Sequence, residues 1–93
     1  EESLKFQELQ LKNNLMSAQQ RLELQTQNVN IAKSIYTNSI TREQIGKENS
    51  IIVTQKYNQY LIAQSEYVAS VIDLFQAKLN LDKLYNQLSE NKK

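Results

Sequence analysis

Proline, cysteine, histidine and tryptophan are absent from the chain, and glycine occurs once, at position 46. Each absence excludes something. Without cysteine there is no disulfide framework and no thiolate metal site. Without histidine as well, the usual general base and the commonest metal ligands are gone. One glycine cannot build a glycine-rich phosphate loop. Without proline, no residue in the chain forbids a helix outright. Eleven basic and ten acidic residues leave a net charge of +1, so no strong field selects nucleic acid or an anionic membrane. Nor is there a run of about 20 apolar residues of the kind that spans a bilayer as a helix.

What is present is a chain of 93 residues, one domain or less, rich in the helix formers Leu, Gln, Glu, Lys and Ala. Its 40% hydrophobic content leaves little for a thick core. No basic n-region followed by an apolar h-region is found, and the start at Glu1 suggests a processed chain or an excised fragment.

The apolar spacing sets the fold class. In the second half, Val53, Tyr57, Tyr60, Gln64, Tyr67, Val71, Leu74, Lys78, Leu81, Tyr85 and Leu88 follow in four-three alternation, interrupted by only two polar residues, and predict a heptad seam. In the first half, Leu11, Leu15, Ala18, Leu22, Gln25, Val29, Ala32 and Tyr36 do the same. No sustained period-two alternation competes. The chain reads as all-α, a long two-helix antiparallel coiled-coil hairpin.

Gly46 supplies the position where a left-handed residue ends a helix at little cost, so the first helix is expected over about residues 3–45 and the tip over 46–49. Asn49 or Ser50 then caps a second helix over about 50–90. A rival break lies at Thr41, whose spacing to Gln44 is that of a capping box. Pairing favours the glycine. Folding about Lys47–Glu48–Asn49 brings Tyr36 to Tyr60, Val29 to Tyr67, Leu22 to Leu74, Leu15 to Leu81 and Leu11 to Tyr85. It also sets Ala18 and Ala32 opposite Lys78 and Gln64. Each arm is then about 65 Å long at 1.5 Å per residue.

A second apolar stripe lies beside the seam: Phe6, Leu9, Met16, Leu24, Ile31 and Ile35 on the first arm, with Leu61, Val68, Ile72, Phe75 and Leu79 on the second. Two helices packed along one seam cannot bury both. Such a stripe is either a wide apolar face partly covered by the stems of long side chains or a seat for further helices. The second is expected here, and with it an isolated chain that self-associates or is marginally stable.

Catalytic chemistry is not expected. Glu8, Glu23, Glu43, Glu48, Glu66, Asp73, Asp82 and Glu90 are scattered, and Glu1–Glu2 is a solvated terminal pair. Tyr57, Tyr60, Tyr67 and Tyr85 fall on the seam without interleaved basic residues, which points to packing rather than to base stacking. Asn38, Ser39 and Thr41 are expected on a solvated helix surface. No cofactor, metal or nucleic-acid partner is expected.

From Ile45 onward, the stretch IGKENSIIVTQKYNQYLIAQSEYVASVIDLFQAKLNLDKLYNQL resembles the last long helices of outer membrane efflux proteins, the TolC-type channels. The resemblance rests on Gly46, Ser50, Ile51 to Val53, Ala63–Gln64, Tyr67, Asp73–Leu74, Ala77 and Leu81, and on LELQTQNVNIAKSIY in the leading helix. It implies one periplasmic hairpin of a trimeric channel in the cell outer membrane. Such hairpins form a tunnel for efflux or type I secretion, and their tips dock on a periplasmic adaptor that serves an inner-membrane pump or transporter. By that resemblance Gly46, Lys47, Glu48, Asn49 and Ser50 are the adaptor-docking tip: Gly46 permits the turn, and Lys47, Glu48 and Asn49 present the contact surface.

Two features of the family are not carried over. Ile52 and Gln55 stand where some channels carry gate aspartates, and Glu48 stands where some carry an arginine. Two other assignments fit the helical pattern. A periplasmic adaptor also has a long hairpin, but Ser39 occupies the position matching its tip arginine. A generic structural coiled coil with no transport role is the other.

Overall fold

The computed structural model describes residues 2–91, with side chains placed through Leu88. Helix α1 runs Glu2–Gln44 and helix α2 runs Ser50–Asn91, and the two pack along a rod of 71 × 17 × 14 Å. No strand occurs among the described residues. The fold is an all-α helical hairpin.

Long uninterrupted helices follow from what the chain lacks. With no proline and no glycine inside either arm, nothing removes an i→i−4 bond. Threonines within the helices satisfy their hydroxyls by donating to the carbonyl four residues back, Thr26 to Leu22 at 2.7 Å and Thr37 to Lys33 at 2.8 Å. Thr41 does likewise, to Thr37 at 3.3 Å, so its capping-box spacing produces no break. An N-cap must leave helical geometry, and α1 continues through Thr41 to Gln44.

The sheltered positions of α1 follow the heptad pattern of the sequence: Leu11, Leu15, Ala18, Leu22, Gln25, Val29, Ala32 and Tyr36, extended to Ser39. Ser39 is 4% exposed, which corrects its expected place on a solvated surface, whereas Asn38 and Thr41 are exposed. The reason is register: Ser39 is the next seam position after Tyr36.

On α2 the seam differs from the expected one. Tyr60, Tyr67, Leu74, Leu81 and Leu88 are sheltered as expected, but the alternate positions are Ala63, Ser70, Ala77 and Leu84. Gln64, Val71, Lys78 and Tyr85, each one residue later, are exposed, and so is Tyr57. Volume decides this. Ala63, Ser70 and Ala77 recur every seven residues and are buried, and small side chains let two helix axes approach. Larger neighbours are left on the shoulder of the contact, where Tyr57, Val71 and Tyr85 remain about two-fifths exposed (42%, 40% and 41%). The corrected seam brings Ala18 level with Ala77, Ala32 with Ala63 and Leu11 with Leu84. Alanine meets alanine at the first two levels, where the expected register had set Lys78 and Gln64.

Ser70 is the most deeply buried side chain among the described residues, 1% exposed, and its hydroxyl donates to the Tyr67 carbonyl at 2.7 Å. That bond removes the penalty of an unpaired buried hydroxyl. Near the tip, Tyr36 packs against Tyr57 and Tyr60, with ring centroids 5.1 and 6.0 Å apart. Contacts of this kind add about 0.5–1.5 kcal/mol each beyond area burial.

Candidate functional site

The tip is built from backbone bonds and one side-chain cap. Gly46 has φ of +77°, the left-handed region that a residue with a Cβ enters only under strain. In that conformation the Gly46 N–H donates to the Glu43 carbonyl at 3.0 Å and the Lys47 N–H to the Arg42 carbonyl at 2.8 Å. These two bonds form a Schellman closure and satisfy carbonyls that the end of α1 would leave free. Three residues later, Asn49 Oδ1 accepts from the Ile52 N–H at 3.0 Å, while its own carbonyl accepts from Val53 at 3.2 Å. Asn49, not Ser50, is therefore the N-cap of α2.

The five tip residues have separate placements. Gly46 makes the turn, Lys47 is exposed beyond it, and Ser50 opens α2 with its carbonyl accepting the Thr54 hydroxyl at 2.9 Å. Asn49 is exposed, although its side-chain oxygen is engaged by the cap. Glu48 turns inward. It lines a cleft of about 230 Å³ with Ile35, Asn38, Ser39 and Arg42 of α1 and Lys56 of α2. Its Oε2 is shielded from solvent with no hydrogen-bond partner in the protein.

Sequence reasoning alone passes over Arg42 and Lys56. A usable signal existed for Lys56: extending the corrected seam from Ala63 by one heptad lands on it, level with Ser39. A cation at a seam position beside the turn is a local conflict of the kind that marks a special site.

A second candidate is the outer apolar stripe. Phe6, Leu9, Met16, Leu24 and Ile31 on α1, and Val68, Ile72 and Phe75 on α2, are all more than half exposed. Single exposed apolar residues need no explanation, but a row along both arms does. The rod offers it no cover.

Two polar features lie elsewhere. Arg21 Nη1 reaches Asp73 Oδ2 across the seam at 3.0 Å, in an open groove that Asn14, Gln76 and Asn80 also line. Toward the open end, Lys12 Nζ sits 2.9 Å from Glu8 Oε1, which also accepts from the Tyr85 hydroxyl at 3.3 Å. The hydrogen bond and charge of Lys12 hold the Glu8 carboxyl below its ordinary range, and Glu8 in return raises the Lys12 ammonium. Both are solvated surface features, and exposed pairs of this kind are worth little. Among the described residues, no group of three or more His, Cys, Asp or Glu is placed to hold a metal ion. No helix among them is long and apolar enough to cross a membrane.

No protein-family model matches this chain, and no curated protein or solved structure matches it. A functional assignment therefore has to stand on the residues and their geometry.

Proposed function

We propose that this chain is a non-catalytic helical hairpin that works by assembly: its outer face packs against further helices, and its tip docks on a partner. The observation that carries the proposal is the apolar row left open along both arms, on a fold only two helices thick. Exposed apolar rows of this length are association surfaces.

The resemblance of the sequence names the finer setting: a periplasmic tunnel hairpin of an outer membrane efflux or type I secretion channel, trimeric when full length. In that setting the tip from Gly46 to Ser50 meets a periplasmic adaptor serving an inner-membrane pump. Support for this part is the residue pattern around Gly46 and the fold's long antiparallel arms with an exposed Lys47 at their end.

The test is made in the parent protein, in its own cells. A photo-cross-linking residue replaces Lys47, and adducts are identified after irradiation and separation of the membrane fractions. Recovery with the outer membrane and an adduct to a periplasmic protein are expected. Recovery in the cytosol alone would sink the channel assignment in favour of a generic coiled coil. Flanking lipoyl-like strand segments in the parent sequence would instead make it an adaptor hairpin.

A further inference from the structure

The cleft beneath the tip has a lopsided chemistry. Asn38, Ser39, Arg42 and Lys56 line it and all carry side-chain hydrogen-bond donors, and Arg42 and Lys56 add positive charge from different helices. Glu48 supplies the one carboxylate. Such a donor set suits a carboxylate: the guanidinium is a planar fork, and the ammonium is a point charge that approaches from the facing helix.

In the free chain that carboxylate is the protein's own, and it fits badly. Oε2 of Glu48 is shielded from water yet accepts no hydrogen bond from the protein. Among the described residues the ion pairs are Lys12 with Glu8 and Arg21 with Asp73, so neither Arg42 nor Lys56 is at pairing distance from Glu48. A desolvated, unbonded carboxylate oxygen is unfavourable, and its return to water recovers that free energy.

The backbone lets Glu48 leave without undoing the turn. Lys47 on one side is fixed by its N–H bond to Arg42, and Asn49 on the other is fixed as the cap of α2. Rotation of the Glu48 side chain is enough. Its departure leaves two cations facing an open cleft.

We infer that this cleft is a seat for a carboxylate on an acidic segment of a docking partner, held in the free chain by Glu48 as a displaceable internal occupant. The inference rests on the reading of the tip as a docking end and is independent of the channel family.

The probe is a tetraglutamate peptide, with tetraglutamine as control, titrated into the 93-residue chain at low salt and followed by amide resonances. The tetraglutamate is expected to move the resonances of residues 38–42 and 56 more than those around Lys5, Lys33 or Lys83. Glu48→Gln should tighten binding by about fivefold, the scale of a modest coupling between competing ligands. Arg42→Gln combined with Lys56→Gln should abolish it. Equal shifts beside every Lys and Arg, or no tightening in Glu48→Gln, would overturn the inference. If the double variant loses helix content, the Glu48→Gln arm decides alone. Peptide binding without the Lys47 cross-link removes the adaptor assignment and leaves the seat standing. A cross-link without peptide binding removes the seat alone.

Discussion

Tyr36 of α1 lies stacked on Tyr60 of α2, ring centroids 6.0 Å apart and planes inclined by 20°. With Tyr57 tilted against the same ring at 5.1 Å, this is an aromatic cluster one seam step below the Ser39–Lys56 level. It matters because a heptad seam repeats. Sliding one helix by seven residues would leave most of the small and aliphatic pairs in acceptable company and set Tyr36 against Tyr67, but it would put Gln64 in the place of Tyr57 and break the three-ring cluster. Together with the closed turn at Gly46, it fixes the register.

Packing at the seam is tested by size. Ala63→Leu forces a large side chain between the helices and should destabilise the hairpin by about 1–3 kcal/mol. Gln64→Leu, one residue away and exposed, should change stability by less than about 0.5 kcal/mol. Urea unfolding midpoints of the two variants check this, and the opposite order would return the seam to Gln64.

Gly46→Ala should cost about 1–2 kcal/mol, because φ of +77° is strained for any residue with a Cβ. Space is not the obstacle: an added Cβ would meet nothing within 4 Å. Gly46→Asn should therefore be milder than Gly46→Ala, since asparagine tolerates the left-handed region. Thermal unfolding of the pair separates a conformational cost from a steric one, which would penalise the larger asparagine more.

Removal of the cap, by Asn49→Ala, should destabilise the hairpin by about 0.5–2 kcal/mol. Asn49→Asp should keep most of the stability, since a carboxylate accepts the Ile52 N–H equally well. Hydrogen exchange at Ile52 reads the loss directly, and unchanged protection in Asn49→Ala would show that the cap is not Asn49.

The Glu8–Lys12 pair sets a pH window. Glu8 is lowered by its hydrogen bond and charge interaction with Lys12, so its contribution is present above the ordinary carboxylate range and is lost as pH falls through the lowered value. Lys12 is raised by the same partner, so its contribution is present below the ordinary lysine range and fades as pH climbs through the raised value. Denaturant midpoints of the wild type and Glu8→Gln should differ slightly near neutrality and converge in acid. A gap that widened in acid would contradict the pairing.

The outer stripe predicts concentration-dependent association of the isolated chain. Sedimentation equilibrium should show oligomers, and Val68→Lys with Phe75→Lys should shift the chain toward monomer while leaving the seam intact. A stably folded monomer at high concentration would remove the case for an assembly face.

Much of this was legible in the residues. The helical class followed from missing breakers and from the spacing of Leu11, Leu15 and Leu22, and the fold axis from the pairing of Tyr36 with Tyr60. The apolar pattern misplaces half of the α2 seam because Tyr57, Val71 and Tyr85 carry the four-three alternation through Gln64 and Lys78, one residue past the smaller Ala63, Ser70, Ala77 and Leu84. Between two close backbones the deciding quantity is volume, which a polar–apolar pattern does not encode. Glu48 was legible as a tip residue, but its inward turn depends on the shape of the loop between the Schellman bonds and the Asn49 cap. That shape lies in backbone angles, not in composition.

The rod is 71 Å long, and the Glu8–Tyr85 contact ties its two arms near the end remote from Gly46. Chain therefore enters and leaves at neighbouring points, while the turn stands about seven nanometres away. A body carrying such a hairpin would need to open only at one small spot in its own surface. What the hairpin supplies is a fixed reach, set by a count of helical residues: deleting one heptad from each arm would shorten it by about 10 Å and leave the seam in phase.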